Sequence, residues 1–442
     1  MKTISKTHIF FIGLMLFSLF FGAGNLIFPP ILGQQAGEQF WPAILGFIMT
    51  GVGLPLLTIV AIALSGRNMQ ELAGRIHPKF GIVFTIVVYI LIGPSMAIPR
   101  VANVAFEMGA QTFVPESLKS SGWVLFAYTL VFFGVVFWAS LNPSKLVDRI
   151  GNVLTPLLLL GVAGLFVAAM LNPQGSAQPA VQEYVESPFF KGFMEGYLTL
   201  DTIAALAFGV VVINAIRMKG VEDNKLIAKA AIQAAIVAAI GLSLVYAALG
   251  YIGVTSVESF GYAENGGQLL TVVVQALFGK YGLILIAFIV TLACLTTCIG
   301  LVAACGQYFS TLIRRASYNW VAFIICVLGL LVSNLGLNQI ISISVPVLLV
   351  IYPVSIVLIL LSFLDRLFHV SPYVYAGAMI ATVIISIFDG LKEANISIDF
   401  ITTWFKYIPL YEKGIGWVIP AIVGALIGFI IEMLKSDRSV TK

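Results

Sequence analysis

Apolar runs long enough to cross roughly 30 Å of hydrocarbon recur along the whole chain, separated by short polar loops. They fall near residues 8–33, 40–64, 81–110, 122–141, 147–171, 192–216, 226–250, 281–313, 318–335, 339–363, 372–389 and 415–434. The pattern predicts an all-α polytopic membrane protein with twelve transmembrane helices. A further apolar stretch, GQLLTVVVQALF at 267–278, is too short to cross and follows the acidic segment SVESFGYAENG. It is assigned to a surface or re-entrant hairpin over about 253–280.

The first run contains the sharpest irregularity. In FSLFFGAGNLIFPPILG, residues 17–33, an apolar helix meets Gly22, Gly24, Asn25, Pro29 and Pro30. Backbone groups unpaired in hydrocarbon cost several kcal/mol each, so a break of this kind survives only where it lines a site. In secondary transporters, discontinuous helices offer half-helix N-termini to anionic groups and loose carbonyls to cations. The run starts with Lys2 and Lys6, as a signal peptide does, but it is too long, lacks a small-residue cleavage site and carries the polar break. It is read as a retained first span.

The spans fall into two similar blocks. The first repeat, helices 1–5, covers 1–171; a polar linker with Pro173, Pro179 and Pro188 covers 172–191; the second repeat, helices 6–10, covers 192–365. Five is odd, so the second block must run inverted through the membrane, which gives a 5+5 inverted repeat with discontinuous helices 1 and 6. Residues 366–442 hold two peripheral helices and a tail. The counterpart of the first break falls in GYLTLDTIAALAFG, residues 196–209, where Asp201 sits among Thr199 and Thr202. A carboxylate at mid-membrane costs about 2.5–3.5 kcal/mol on insertion scales and marks a functional position.

Composition and charge narrow the class. With 60% hydrophobic and 10% charged residues, the chain exposes too much apolar surface to be a soluble protein. Most of its 24 lysines and arginines fall on the side of the termini, while Lys119, Lys191, Lys280, Lys392, Lys406 and Lys413 fall on the other. The positive-inside rule then makes both termini cytoplasmic and the hairpin and the 172–191 linker extracellular. The net charge of +4 is spread over separate short loops, which argues against nucleic-acid binding. Cys294, Cys298, Cys305 and Cys326 all lie in apolar runs and are read as small core residues, not disulfides. His8, His77 and His369 sit at membrane edges in basic surroundings, so no resident metal is expected.

The motifs FFGAGNLIFPP, GQQAGEQFWPAILGF, GYLTLDTIAALAFG and VINAIRMKG, in this order, resemble those of the bacterial branched-chain amino acid:cation symporters, and the resemblance runs the full length. It implies sodium-coupled uptake of leucine, isoleucine and valine across the bacterial cytoplasmic membrane, no cofactor, and the leucine-transporter-type fold. A zwitterionic substrate needs donors for its carboxylate, acceptors for its ammonium and an apolar pocket. Freed N–H groups around Gly22, Ala23, Gly24 and Asn25 suit the carboxylate. Carbonyls near Phe20 and Phe21 and the Thr199, Asp201, Thr202 stretch suit the ammonium, and apolar groups from spans three, six and eight would enclose the side chain. In TLACLTTCIG of span eight, Ala293, Thr296 and Thr297 have the A-x-x-T-[S/T] spacing that resembles the sodium site of leucine-transporter-fold symporters. Aligning the first break adds the carbonyls of Ser18 and Phe21 to that oxygen set, which suits a hard cation.

Each feature has a second reading. Asp201 either meets the amine or organises the break as a cap; Thr296 and Thr297 either ligate sodium or bond to carbonyls one turn back. Arg100 and Glu107, seven apart in a span made irregular by Pro94 and Pro99, are either a gate or ion-path pair or structural groups. The rival function is a proton-coupled amino-acid permease of the same fold, with Asp201 or Glu107 titrating. An enzyme would need a cluster such as H-E-x-x-H or G-x-S-x-G, neither of which occurs. No channel selectivity sequence is present either.

Overall fold

The computed structural model describes residues 4–119, 121–141, 143–313, 315–365, 371–396, 404–405 and 407–440. Lys2, Arg314, Arg366, Lys406 and Lys442 of the charge pattern, and His369, lie outside the described residues. Those that are described form an all-helical protein. Eight helical segments are long and apolar enough to cross a membrane: Ala23–Ser65, Pro78–Phe113, Gly122–Ser140, Asn224–Val254, Gly266–Leu312, Leu337–Phe363, Pro372–Glu393 and Val418–Lys435. A ninth arises if Pro188–Thr199 and Asp201–Arg217, bent by 47° at their junction, count as one span. Lys6–Phe20, Thr155–Leu171 and Tyr318–Ser333 are shorter apolar helices.

Two of the long segments are interrupted by glycines in the left-handed region. Ala23–Ser65 turns at Gly37 (φ 46°), and Gly266–Leu312 kinks at Gly279 (φ 59°). Residues 267–278 therefore form a helix of their own that runs into the longer apolar helix beyond Gly279. The segment Pro78–Phe113 is irregular where Pro94 and Pro99 predict: Leu91–Ser95 is π-helical, Gly93 leaves helical geometry, and Ala97–Met108 resumes the helix.

The first break differs from its sequence reading. The chain leaves the helix only at Phe21 (ψ 80°) and Gly22 (φ −109°, ψ −162°), and Ala23–Ala36 is a continuous helix through Gly24, Asn25, Pro29 and Pro30. Each proline removes one helical donor, which frees the carbonyls of Asn25 and Leu26 four residues back without unwinding the turn. Membrane helices tolerate this because neighbouring segments supply other partners. The Ala23–Ala36 helix packs backbone to backbone on Asn224–Val254: a Cβ on Gly33 would lie 1.9 Å from the Gly250 carbonyl oxygen, and one on Gly253 would lie 2.0 Å from that of Pro30. Small residues allow this approach, the usual device of membrane helix pairs.

The second break is a single strained residue. Gly196–Thr199 is a 3-10 turn, Leu200 takes φ 67° and ψ 3°, and Asp201 begins the next helix. A left-handed leucine is costly and persists only where its surroundings fix it. Pro372–Glu393 packs on both Val418–Val440 and Leu337–Phe363, and Ile422, Leu426 and Ile430 are exposed.

Candidate functional site

The two breaks meet. Asn25, 1% exposed, turns its side-chain oxygen back to accept from the Gly22 N–H at 3.1 Å, which closes the first break. Its amide nitrogen donates to Asp201 Oδ2 at 2.6 Å and also to the Tyr246 hydroxyl. Tyr246, from Asn224–Val254, donates to the same Asp201 oxygen at 3.0 Å and rests edge-on against Phe47 at 5.2 Å. Asp201 is thus the common acceptor of a buried three-residue network that ties one break to the other. It stands in the first turn of Asp201–Arg217, where the helix dipole favours a negative charge. It is not the cap: the Thr199 hydroxyl accepts from the Asp201 N–H at 3.3 Å.

Arg100 completes the second break from outside it. Only 3% exposed, it donates through Nη1 to the Leu198 carbonyl at 2.6 Å and through Nη2 to the Thr199 carbonyl at 3.3 Å, and lies 5.2 Å from the Phe28 ring centroid. The carbonyls left over by the left-handed turn at Leu200 are therefore satisfied by a cation on another span. Glu107 does not share this environment. Seven residues advance a helix by about 10 Å, and Glu107 lies beside Gly267 at the start of the kinked Gly266–Leu312 segment.

Between the breaks lies a small cavity of about 30 Å³. Its polar lining comes from Gly22, Ala23, Gly24, Asn25, Arg100, Thr199, Asp201 and Thr297; its apolar wall includes Ile92, Val101, Ala204, Phe208 and Leu301. Phe21 and Thr202 contribute differently. The Phe21 ring stacks on Phe17 at 5.2 Å while its carbonyl accepts from the Thr297 hydroxyl at 3.5 Å. Thr202 donates to the Thr50 carbonyl at 3.3 Å, and Thr50 to the Phe193 carbonyl at 2.8 Å, which fixes the helix after the second break to the span before it.

Of the expected ion ligands, the structure brings Thr297 and the Phe21 carbonyl together. Two oxygens 3.5 Å apart have the spacing of adjacent ligands around a hard cation held at about 2.3–2.6 Å. Thr296 turns back on its own helix, to the Ala293 carbonyl at 2.7 Å and the Leu292 carbonyl at 3.0 Å. Ser18 lies half-buried on Lys6–Phe20, three residues before Phe21. A larger cavity, about 380 Å³, opens between Leu158–Leu165 and Leu270–Val290, but its walls are almost wholly apolar. It offers nothing to a carboxylate or an ammonium, so the smaller cavity is the candidate site.

Sequence reasoning passed over Tyr246, one of 15 tyrosines, and left Arg100 without a place. A hydroxyl deep in an apolar helix needs a partner, and that was the available signal for Tyr246.

Paired helix breaks joined by a buried polar network, within an all-helical membrane-spanning protein, define a secondary-transporter fold. The chain is similar in structure to MhsT in complex with L-phenylalanine (TM-score 0.60, 17% identity, 98% of this chain and 99% of that one). It is also similar to Mhp1, a nucleobase-cation-symport-1 family transporter, in a closed conformation with bromovinylhydantoin bound (TM-score 0.63, 12% identity, 97% and 93%). These are leucine-transporter-fold proteins. Residues 5–435 match the family model described as branched-chain amino acid transport protein, and the chain belongs to that family. Its relatives include the branched-chain amino acid permeases BraB and BrnQ of Bacillus subtilis (strain 168), at 47% identity over 96% of this chain and 95% of the relative, and 46% over 99% and 100%. BrnQ of Escherichia coli (strain K12) is 40% identical over 97% and 96%. The family consists of permeases, not enzymes, and the protein is a multi-pass membrane protein.

Proposed function

We propose that the protein imports leucine, isoleucine and valine across the bacterial cytoplasmic membrane, coupled to sodium, by alternating access. The observation that carries this reading is the Asn25–Asp201–Tyr246 network, which joins both helix breaks beside a cavity with one apolar wall. The substrate's ammonium meets Asp201, its carboxylate meets the N–H groups at the start of Ala23–Ala36, and its branched side chain lies among Ile92, Val101, Ala204, Phe208 and Leu301. Discrimination among the three substrates is weak, since one methylene is worth only about 1–3 kcal/mol. Sodium binds between the Phe21 carbonyl and Thr297, with Ser18, Ala293 and Thr296 supplying further oxygens. Loading parts the walls of this small cavity, as spans one, two, six and seven rock against three, four, eight and nine.

This reading takes the polypeptide as twelve spans in a 5+5 inverted repeat with both termini cytoplasmic. Lys6–Phe20 and Ala23–Ala36 form the broken first span, Pro188–Thr199 and Asp201–Arg217 the broken sixth, and Pro372–Glu393 and Val418–Val440 stand outside the repeat. The segment between Val254 and Gly279 then covers the extracellular entrance. Leucine uptake into proteoliposomes, under an inward sodium gradient and separately under an inward proton gradient without sodium, tests the coupling. Accumulation driven by sodium alone is expected. Accumulation driven by protons alone would keep the fold and move coupling to a carboxylate, Asp201 first, because it alone sits in the inter-break network. Failure of both gradients would overturn the substrate.

A further inference from the structure

We propose that Arg100 is the residue that receives the substrate's carboxylate, so that the site holds a zwitterion between two fixed charges of opposite sign. The inference rests on the amino-acid reading given above. A guanidinium buried at membrane depth needs an anion, because hydrogen bonds to neutral groups only partly offset the loss of water. The groups that Arg100 touches are neutral, the Leu198 and Thr199 carbonyls and the face of Phe28, and the Asp201 charge acts on it without an ion-pair contact. Among the described residues it forms no ion pair within 4.0 Å, and its Nε is buried without a hydrogen-bond partner. A guanidinium carries five N–H donors, of which the two carbonyls take two. The remainder are unspent beside a cavity that Arg100 itself lines.

The neighbours fit a carboxylate there. A Cβ on Gly24 would lie 2.9 Å from Arg100 Nη2, so the guanidinium sits directly against the first turn of Ala23–Ala36, whose N–H groups and dipole favour the same negative charge. Glycine at this position keeps the two donor sets side by side. Across the cavity Asp201 supplies the opposite charge, held in place by Asn25 and Tyr246, which both meet its Oδ2. A planar guanidinium can grip a carboxylate through two parallel bonds, a geometry a lysine cannot match. Because Arg100 also holds the carbonyls of the two residues that precede Leu200, a carboxylate that draws on the guanidinium acts directly on the second break. Binding is thereby coupled to the hinge.

The test compares leucine with leucinol, in which the carboxylate is a primary alcohol, by titration calorimetry on the purified full chain in sodium buffer. Arg100→Gln removes the charge and keeps a neutral amide donor on a shorter side chain. Arg100→Lys keeps the charge, loses the fork, and serves if the glutamine variant does not fold, which ligand-free thermal unfolding reports. The wild type is expected to bind leucine far more tightly than leucinol. Arg100→Gln should weaken leucine by about 10- to 150-fold and leucinol by less than about threefold; Arg100→Lys should show a smaller loss, again confined to leucine. Equal weakening of both ligands, or unchanged discrimination, would make Arg100 a clamp on the break and overturn the inference alone. A wild type that binds neither ligand would overturn the substrate reading and the inference with it.

Discussion

Replacing Asp201 with asparagine separates the charge of the site from its architecture. Both hydrogen bonds from the network, Asn25 Nδ2 at 2.6 Å and the Tyr246 hydroxyl at 3.0 Å, arrive at one oxygen, Oδ2. An asparagine whose amide oxygen takes the place of Oδ2 keeps both acceptances, each weakened from charge-assisted to neutral strength, roughly by half. Against that loss stands relief from burying a carboxylate, so the fold should lose no more than about 1 kcal/mol. Ligand binding has no such compensation. A hydrogen bond to a charged group is worth about 1.5–3 kcal/mol, and losing it against the ammonium predicts an affinity for leucine reduced by about 10- to 150-fold. The assay is the equilibrium dissociation constant of leucine for wild type and Asp201→Asn, with thermal unfolding of both measured without ligand. 4-Methylpentanoate, which has no amine, serves as the control and should bind the two forms alike. Leucine affinity within threefold of wild type, in a variant that unfolds normally, would refute contact between Asp201 and the ammonium. A collapse in thermal stability would refute the argument that one oxygen carries the network.

Other substitutions probe other parts of the account. Thr297→Ala removes the hydroxyl that faces the Phe21 carbonyl at 3.5 Å, and should raise the sodium concentration for half-maximal uptake at least tenfold while leaving the order of preference among leucine, isoleucine and valine unchanged; unaltered sodium dependence would move the ion elsewhere. Gln34, 1% exposed, fastens the segment beyond Val254 through bonds to Ser256 Oγ at 2.9 Å, the Gly261 carbonyl at 3.1 Å and the Ala263 N–H at 3.1 Å. Gln34→Ala should therefore speed amide hydrogen exchange over 255–265 by more than tenfold, and exchange at wild-type rates would show that other contacts hold the segment. Tyr246→Phe deletes a hydroxyl that touches Asn25 and Asp201; at about 1.5–3 kcal/mol for a bond to a charged group it should lower thermal stability measurably and weaken leucine binding less than Asp201→Asn does. The reverse order would place Tyr246 in contact with substrate.

The sequence exposes this site unevenly, for physical reasons. Gly22 and Asp201 are conspicuous because bilayer helices do not leave backbone groups or carboxylates unpaired without cause, and the two positions are neighbours through Asn25. The extent of the first break is less legible. Pro29 and Pro30 read as breakers, yet each costs only one helical bond, and the helix continues through them with Gly33 and Gly253 packed tightly on the facing backbones. The second break turns at Leu200, a residue with no intrinsic preference for positive φ, so only tertiary contacts select it. Arg100 announces itself as a charge in an apolar span, but its partners are carbonyls 98 and 99 residues away. Glu107, the apparent partner in sequence, is about two helical turns removed. Tyr246 illustrates the remaining difficulty: which of many buried hydroxyls meets the site depends on helix rotation, and that is set by packing.

A structure determined with L-leucine and sodium would show whether the two breaks together form the place where a branched-chain amino acid binds. Leucine is expected between the Gly22–Asn25 turn and Asp201, its ammonium on the Asp201 carboxylate and its side chain among Val101, Ala204 and Phe208. Leucine lodged instead in the apolar cavity between Leu158–Leu165 and Leu270–Val290, with the inter-break network unchanged, would contradict it.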